Sequence, residues 1–409
     1  MAGGHVAAES ETTRTSPAPA RWLPASLLRD ERLPLVGQAV AIWALTRAGF
    51  VVVSFVALLW ADRTNASGRG LLGQWVEWDA SWYLGIARDL PHLFTVSFFP
   101  VYPVLVAAVT AVVGAQHQPL AGLLVSNGAM LIGIVCVARL GFAETKRGDS
   151  ALGAVRAAVA YPLAYTTFAP LSEGVFFTLV VVALLASRLP IWWLAALSGS
   201  LAAMTRPTGV ILAPVLLLEY ASQAGWFAKN RTSPRLHGQA LIGGAALFAA
   251  PVAGLALVMF GEWLSTGDPL RFAHIQQSFW HHQFLPPWES VRLFIDHWYA
   301  PTAQYDLMVI DGLAILGFGA LTLASVTKVP MSFTVFMLLL LATTVAAPIP
   351  NYPDVYASAA RYLVVAIPVF LVIGRYIARH PALDFFIVGT GFLLQGLFAV
   401  HFIEGRWVS

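Results

Sequence analysis

Charge is what this sequence has least of. Only 11% of its 409 residues are Asp, Glu, Lys or Arg, against about 25% in soluble domains. That excludes an ordinary soluble globular protein and an intrinsically disordered chain. The formal net charge of +3 is too small to imply a polyanionic partner such as nucleic acid. Cysteine is nearly missing: Cys136 stands alone in an apolar run, so no intramolecular disulfide forms and no redox compartment is readable. No apolar core follows the first few residues as a signal peptide requires. No internal repeat points to duplicated transporter halves.

What is there instead is apolar. Hydrophobic residues make up 58% of the chain and the mean hydropathy is +0.71. At roughly 20 residues per crossing, the length allows about a dozen membrane helices. Residues 1–33 are polar, with Arg14, Arg21, Arg29 and Arg32, and read as a flexible cytoplasmic tail. Residues 34–409 read as one multi-spanning, all-α membrane domain, in which twelve apolar segments run from 35–60 to 382–402.

The excess of Lys and Arg on cytoplasmic loops assigns the connections. Arg139, Lys146, Arg147 and Arg156 mark one inner loop; Lys229, Arg231 and Arg235 a second; Lys328 a third; Arg375, Arg379 and His380 a fourth. The connections 61–97, 263–303 and 348–356 then lie outside. Twelve crossings would return the C-terminus inside, whereas the loop charges place it outside. One segment therefore should not cross. The candidates are 98–115, interrupted by Pro100 and Pro103, and 150–168, which contains Tyr161-Pro162.

The most informative stretch is Gln74 to Asp89 in the first outer loop. At about 100° per residue, Trp75, Trp78, Trp82 and Ile86 share one face of a helix, with Glu77, Ser81 and Arg88 opposite. The spacing predicts an amphipathic helix lying in the interface, where indole rings concentrate. Asp79 falls at about 40° from Trp75, on the aromatic face. A carboxylate there needs a partner or a cavity. It reads either as a helix cap or arginine salt bridge, or as a general base beside an apolar groove.

The run Trp78-Asp79-Ala80-Ser81-Trp82-Tyr83-Leu84-Gly85-Ile86-Ala87, followed by Phe98-Phe99-Pro100-Val101-Tyr102-Pro103, resembles the first lumenal loop of the PIG-V-like mannosyltransferases. One departure is visible: Arg88-Asp89-Leu90-Pro91 stands where that family has Gly-Tyr. Further elements follow in the family's order. Ser172-Glu173-Gly174-Val175-Phe176 resembles its Ser-Glu-Ser-Leu-Phe, and Thr205-Arg206-Pro207-Thr208-Gly209 its Thr-Arg-Pro-x-Gly. By residue chemistry alone, Glu173 is a helix-end carboxylate or a ligand group. Arg206 reaches headgroups or pairs with an anionic lipid phosphate.

In the second outer loop, Gln277-Ser278-Phe279-Trp280 sets a hydroxyl-reading amide beside a stacking ring, suited to a sugar or to loop packing. It resembles the family's second lumenal signature. His274, His281, His282 and His297 cluster there without the spacing of a zinc site. Ser358-Ala359-Ala360-Arg361-Tyr362 resembles the family's Ser-x-x-Arg-Tyr, and Gly405-Arg406-Trp407-Val408 its C-terminal Gly-x-Trp-Val. Arg47, inside the first apolar segment, reads as a structural pairing that faces the bundle interior.

The resemblance covers about 35–409 and implies a glycosyltransferase C type bundle of about 11–12 membrane helices with extracytoplasmic loop helices. It implies a polyprenyl-phosphate-linked hexose donor, mannose, transferred with inversion to a lipid-linked or secreted acceptor. In that scheme Asp79 is the general base. Trp78, Trp82, Tyr83, Glu173, Arg206, Gln277, Trp280, Arg361 and Tyr362 bind substrate, and neither a cofactor nor a metal is obligatory. The alternative from another class is a transporter or flippase for a lipid-linked saccharide, which needs the groove and the arginines but no base; a non-catalytic subunit is a third. The Ala-rich, Arg-biased composition suggests a bacterial plasma-membrane protein with its N-terminus inside and its site outside.

Overall fold

The computed structural model describes residues 33–60, 70–94, 97–227, 237–299 and 305–408. The proposed tail and the basic residues Lys229, Arg231 and Arg235 lie outside the described residues. All regular structure among the described residues is helical. Helix α1 (Leu33–Trp60) enters the first outer loop, which carries α2 (Gly70–Gly73) and α3 (Asp79–Arg88). Next come α4 (Val101–Val113), α5 (Gln118–Thr145) and α6 (Gly148–Val159). A 3-10 segment, Pro162–Thr167, leads to α7 (Glu173–Arg188), α8 (Trp192–Ala203) and α9 (Leu212–Gln223). Helix α10 (His237–Thr266) is followed by two loop helices, α11 (Arg271–Ser278) and α12 (Pro287–Trp298). The chain ends with α13 (Tyr305–Ser325), α14 (Met331–Val345), α15 (Ala359–Tyr362), α16 (Ile367–Ile377) and α17 (Pro381–Ile403).

Among the described residues, five helical stretches are long and apolar enough to cross a bilayer: Leu33–Leu59, Ala115–Thr145, Leu241–Thr266, Leu307–Ser325 and Pro381–Ile403. A sixth appears if the pair Ala359–Val365 and Ile367–Ile377, bent by 75°, counts as one span. At 1.5 Å per residue the 13 residues of α4 reach only about 20 Å, short of a hydrocarbon core of about 30 Å. Helices α8 and α9, at 12 residues each, are just as short. Among the described residues, several apolar segments are thus carried by helices shorter than the hydrocarbon core is thick. Apolar runs are visible in sequence, but the Pro-rich breaks that shorten the helices within them are weighted only by the fold.

Large apolar side chains stay exposed on the long helices, among them Leu45 and Phe55 of α1, Ile242 of α10 and Leu393 of α17. Water would penalise such faces, whereas lipid matches them. The buried core is built where helices approach closely. A Cβ on Gly153 of α6 would stand 2.6 Å from the carbonyl oxygen of Gly374 in α16, so only glycine permits that crossing. One apolar cluster joins α5, α6, α7 and α16 through Met130, Ile134, Phe177, Val181 and Phe370. A second joins the first outer loop to α4, α5 and α17 through Trp75, Tyr83, Tyr102 and Phe402.

The described loop residues fall at two ends of the bundle. Lys328 Nζ donates to the Tyr376 hydroxyl at 2.7 Å, and Arg375 Nη1 to the Lys328 carbonyl at 2.6 Å. At that end Arg188 bridges Glu144 and Glu219, each at 2.6 Å. The 16 residues of α7 separate Arg188 from Glu173 by about 23 Å. Around Glu173, at the opposite end, the three acidic-to-neutral loops converge.

Candidate functional site

The predicted helix over Gln74–Asp89 is shorter than its periodicity suggests. Helix α3 begins at Asp79, and Trp78, at its N-cap, adopts φ 52°. A tryptophan in the left-handed region is uncommon and costs on the order of 1–3 kcal/mol. It turns the chain so that Trp75 drops out of the stripe. Trp75 is fully buried, its Nε1 donating to Ser54 Oγ at 2.8 Å, while Trp78 and Trp82 are 40% and 45% exposed. The four-residue aromatic face is thus corrected: Trp75 anchors the loop to α1, and only Trp78 and Trp82 face outward. Tertiary burial of the indole outweighed the helical period.

Asp79 sits in the first turn of α3 and meets Arg361 of α15, whose Nη1 lies 2.8 Å from Asp79 Oδ2. The Arg361 Nε donates to Glu173 Oε1 at 2.6 Å, and Arg206 Nη1 donates to the same oxygen at 2.6 Å. Four charged side chains from four separate stretches of sequence therefore form one chain of ion pairs, with two carboxylates balancing two guanidiniums. Their exposures grade inward to outward: Glu173 at 1% and Arg361 at 7% lie beneath Arg206 at 18% and Asp79 at 22%. Asp79 and Arg206 are the members a ligand reaches first. Glu173, at the N-terminus of α7, braces both arginines from below. Charges this buried are tolerable only because each is paired.

Aromatic groups wall the cluster. The Arg206 guanidinium lies 5.0 Å from the Tyr362 ring centroid and 5.9 Å from that of Phe176. Tyr83 is buried, and its hydroxyl donates to Ser172 Oγ at 2.8 Å, tying α3 to the start of α7. Burial holds the Tyr83 hydroxyl pKa well above its ordinary value, so it stays a neutral donor. Trp82 stacks on Phe98 at 6.1 Å, and Phe98 meets Trp280 edge-on at 5.7 Å. Trp78 packs edge-on against Trp407 at 5.1 Å, so the chain's last residues return to the site. The Tyr165 hydroxyl holds them by donating to the Val408 carbonyl at 3.2 Å.

The second outer loop covers this wall. Gln276, rather than Gln277, makes the cross-loop bond, its Nε2 donating to Ser97 Oγ at 3.1 Å. Gln277 itself is exposed beside Trp280. The histidines do not gather. His274 Nδ1 is 2.7 Å from Asp268 Oδ2, His282 Nδ1 2.9 Å from the Ala347 carbonyl, and His297 Nδ1 2.9 Å from the Leu293 carbonyl. Among the described residues no three His, Cys, Asp or Glu side chains group as metal ligands. The His274 contact holds the Asp268 carboxyl below its ordinary pKa. Leu285 N–H donates to the Ala346 carbonyl at 3.0 Å and Gln283 N–H to the Pro348 carbonyl at 2.9 Å, which joins the second outer loop to the third.

Two further residues complete the site. Asp311 of α13 is fully buried and accepts the Ala360 N–H at 2.5 Å, fixing the backbone beside Arg361. A carboxylate inside an apolar run was a readable signal, because such groups need a partner. Ser358, the first residue of the Ser-x-x-Arg-Tyr element, adopts φ 74° just before α15 and swings Arg361 toward Asp79. Arg47 has a neutral partner, Thr167 Oγ1 at 3.1 Å, and lies among the rings of Trp43, Phe50 and Phe168.

No protein-family model matches the chain, and no curated protein does. Among solved structures, the oligosaccharyltransferase of Archaeoglobus fulgidus in its apo form is similar at 11% identity with a TM-score of 0.39. The match covers 88% of this chain and 56% of that one, so the chain spans little more than half of that protein's length. A likeness at this level assigns no chemistry to the chain. The motif resemblance stands on its short elements alone.

Proposed function

We propose that this chain is a membrane-embedded glycosyltransferase of the glycosyltransferase C type. It moves a hexose, mannose by its motifs, from a polyprenyl-phosphate donor to a hydroxyl acceptor on the outer face of a plasma membrane. The observation that carries the reading is the paired cluster Asp79–Arg361–Glu173–Arg206 under an aromatic wall. The motif elements predict these four groups independently, and the fold brings all four within ion-pair distance.

The chemistry follows from the charge balance. The acceptor hydroxyl oxygen attacks the anomeric carbon, its proton passes to Asp79, and the bond from that carbon to the phosphate oxygen breaks with the electron pair leaving on phosphate. Attack opposite the leaving group inverts the anomeric centre. Before the step, two carboxylates neutralise two arginines. Once Asp79 holds the proton, Arg361 and Arg206 outweigh Glu173 by one charge as the phosphate gains one. A preorganised charge that appears where the transition state needs it is an efficient form of stabilisation. Trp82, Trp280 and Tyr362 offer ring faces to the sugar, and Gln277 an amide to its hydroxyls.

The test is to incubate the purified chain with radiolabelled polyprenyl-phosphate mannose and cell lipid extract, then identify the labelled product. Labelled glycolipid or glycoprotein with released polyprenyl phosphate is expected. Movement of the intact donor across a vesicle bilayer without bond cleavage would instead establish the flippase reading.

A further inference from the structure

Three helix ends meet around a pocket at the end of the bundle opposite Glu173. Leu35 of α1, Phe142 of α5, and Leu185 and Leu189 of α7 give it apolar walls, and Arg139 and Lys146 of α5 give it two cations, around about 430 Å³ of open space. Leu35 lies in the first turn of α1, while Phe142 and Leu185 lie in the last turns of α5 and α7. The pocket therefore sits where the helices end, at the depth of lipid headgroups, with its apolar walls reaching inward.

Arg139, Phe142, Ala143 and Lys146 share one face of α5 by helical spacing. Lys146 closes that helix at φ 56°, and its Nζ folds back to donate to the Ala143 carbonyl at 2.8 Å. The ammonium thus stands about one turn from Arg139, roughly 6 Å along the axis. Lys146 is exposed and Arg139 half-buried, so positive charge runs from the membrane surface into the pocket. Glu144 and Glu219 are both committed to Arg188, and Asp149 to Arg147, which leaves Lys146 on a neutral acceptor. Capping of the α5 C-terminus accounts for Lys146 by itself. It does not account for a pocket that pairs a second cation with walls from two other helices.

We infer that this pocket binds an anionic phospholipid of the phosphatidylglycerol class from the leaflet at that end. Its phosphate lies between Lys146 and Arg139, and its glycerol and first acyl carbons lie against Leu35, Leu185 and Leu189. A free phosphate would lose water to these apolar walls without gaining hydrogen bonds from them. An amphiphile matches both parts, since the cations take the charge and the walls take the hydrocarbon. A zwitterionic lipid brings a cation of its own, which Lys146 repels. Leu185 and Leu189 belong to α7, so the bound lipid braces the far end of the helix whose N-terminus carries Glu173. The inference is independent of the chemistry at the other end, about 23 Å away along α7, and holds for a transferase and a flippase alike.

The experiment titrates the full chain, purified in detergent and stripped of lipid, with phosphatidylglycerol, phosphatidylcholine or glycerol 3-phosphate, and counts bound molecules by native mass spectrometry. The expected result is a saturable phosphatidylglycerol adduct at least tenfold tighter than that of phosphatidylcholine, with none from glycerol 3-phosphate at the same concentration. Lys146→Gln, at an exposed position that tolerates change, and Ala143→Phe, which fills the pocket, each weaken that adduct at least tenfold. Arg379→Gln removes an exposed cation at the same end but outside the pocket, and keeps wild-type affinity. Equal binding of phosphatidylcholine overturns the inference, and equal binding of glycerol 3-phosphate makes the pocket a free-phosphate site instead. Undiminished binding by Lys146→Gln, or an equal loss in Arg379→Gln, also overturns it.

Discussion

Arg361 donates from two different nitrogens to two different carboxylates, Nη1 to Asp79 and Nε to Glu173. One guanidinium thereby holds the half-buried carboxylate of the site at a fixed angle to the buried one. Its planar fork makes this possible, and a lysine could not reproduce it.

Asp79→Asn keeps the shape of the side chain and removes its capacity to accept the proton. Sugar transfer by the purified variant is expected to fall about 10²–10⁴-fold with expression and thermal stability near wild type. An unchanged transfer rate would sink Asp79 as the base.

Glu173→Gln leaves the buried Arg361 and the half-buried Arg206 short of their shared counter-charge. Removing one partner of a buried pair costs about 3–5 kcal/mol, so a marked loss of thermal stability in detergent is expected. Glu144→Gln at the other end removes one of two carboxylates on the more exposed Arg188 and is expected to cost clearly less.

Two tryptophans of one predicted helical stripe should separate cleanly. Trp75→Ala empties a fully buried site and is expected to destabilise by about 3–5 kcal/mol. Trp82→Ala, on an exposed ring, is expected to leave unfolding nearly unchanged and raise the KM for donor or acceptor. Equal unfolding midpoints for the two variants would contradict the burial difference.

Ser358 pays for its left-handed backbone, so Ser358→Gly is expected to match or exceed wild-type stability. Ser358→Val, β-branched at φ 74°, is expected to lose about 1–3 kcal/mol and most transfer activity, because Arg361 swings away from Asp79.

The Asp268–His274 contact predicts an acid response in the second outer loop. The Asp268 carboxyl is lowered in the fold, so its contribution is present above the ordinary carboxylate range and fades as pH falls through its depressed value. Protease sensitivity near 263–285 is expected to rise below about pH 4, and His274→Ala is expected to show high sensitivity already at neutral pH.

Much of this was legible in the sequence. Scarce charge and long apolar runs fix an all-helical chain that avoids exposing backbone to lipid, since helices satisfy their own hydrogen bonds. Asp79, Glu173, Arg206 and Arg361 were identifiable because an ionisable group near an apolar segment needs a reason to be there. What the sequence could not settle depends on distance. Trp75 and Trp82 share a helical period, yet one is core and the other surface, because the positive φ of Trp78 breaks the helix between them. Whether Asp79 pairs with Arg361, Arg206 or neither was open, since all candidate pairs are remote in the chain and Coulomb energy depends on separation in space. Only the close approach of α3, α7 and α15, set by Tyr83 on Ser172 and Asp311 on Ala360, decided it.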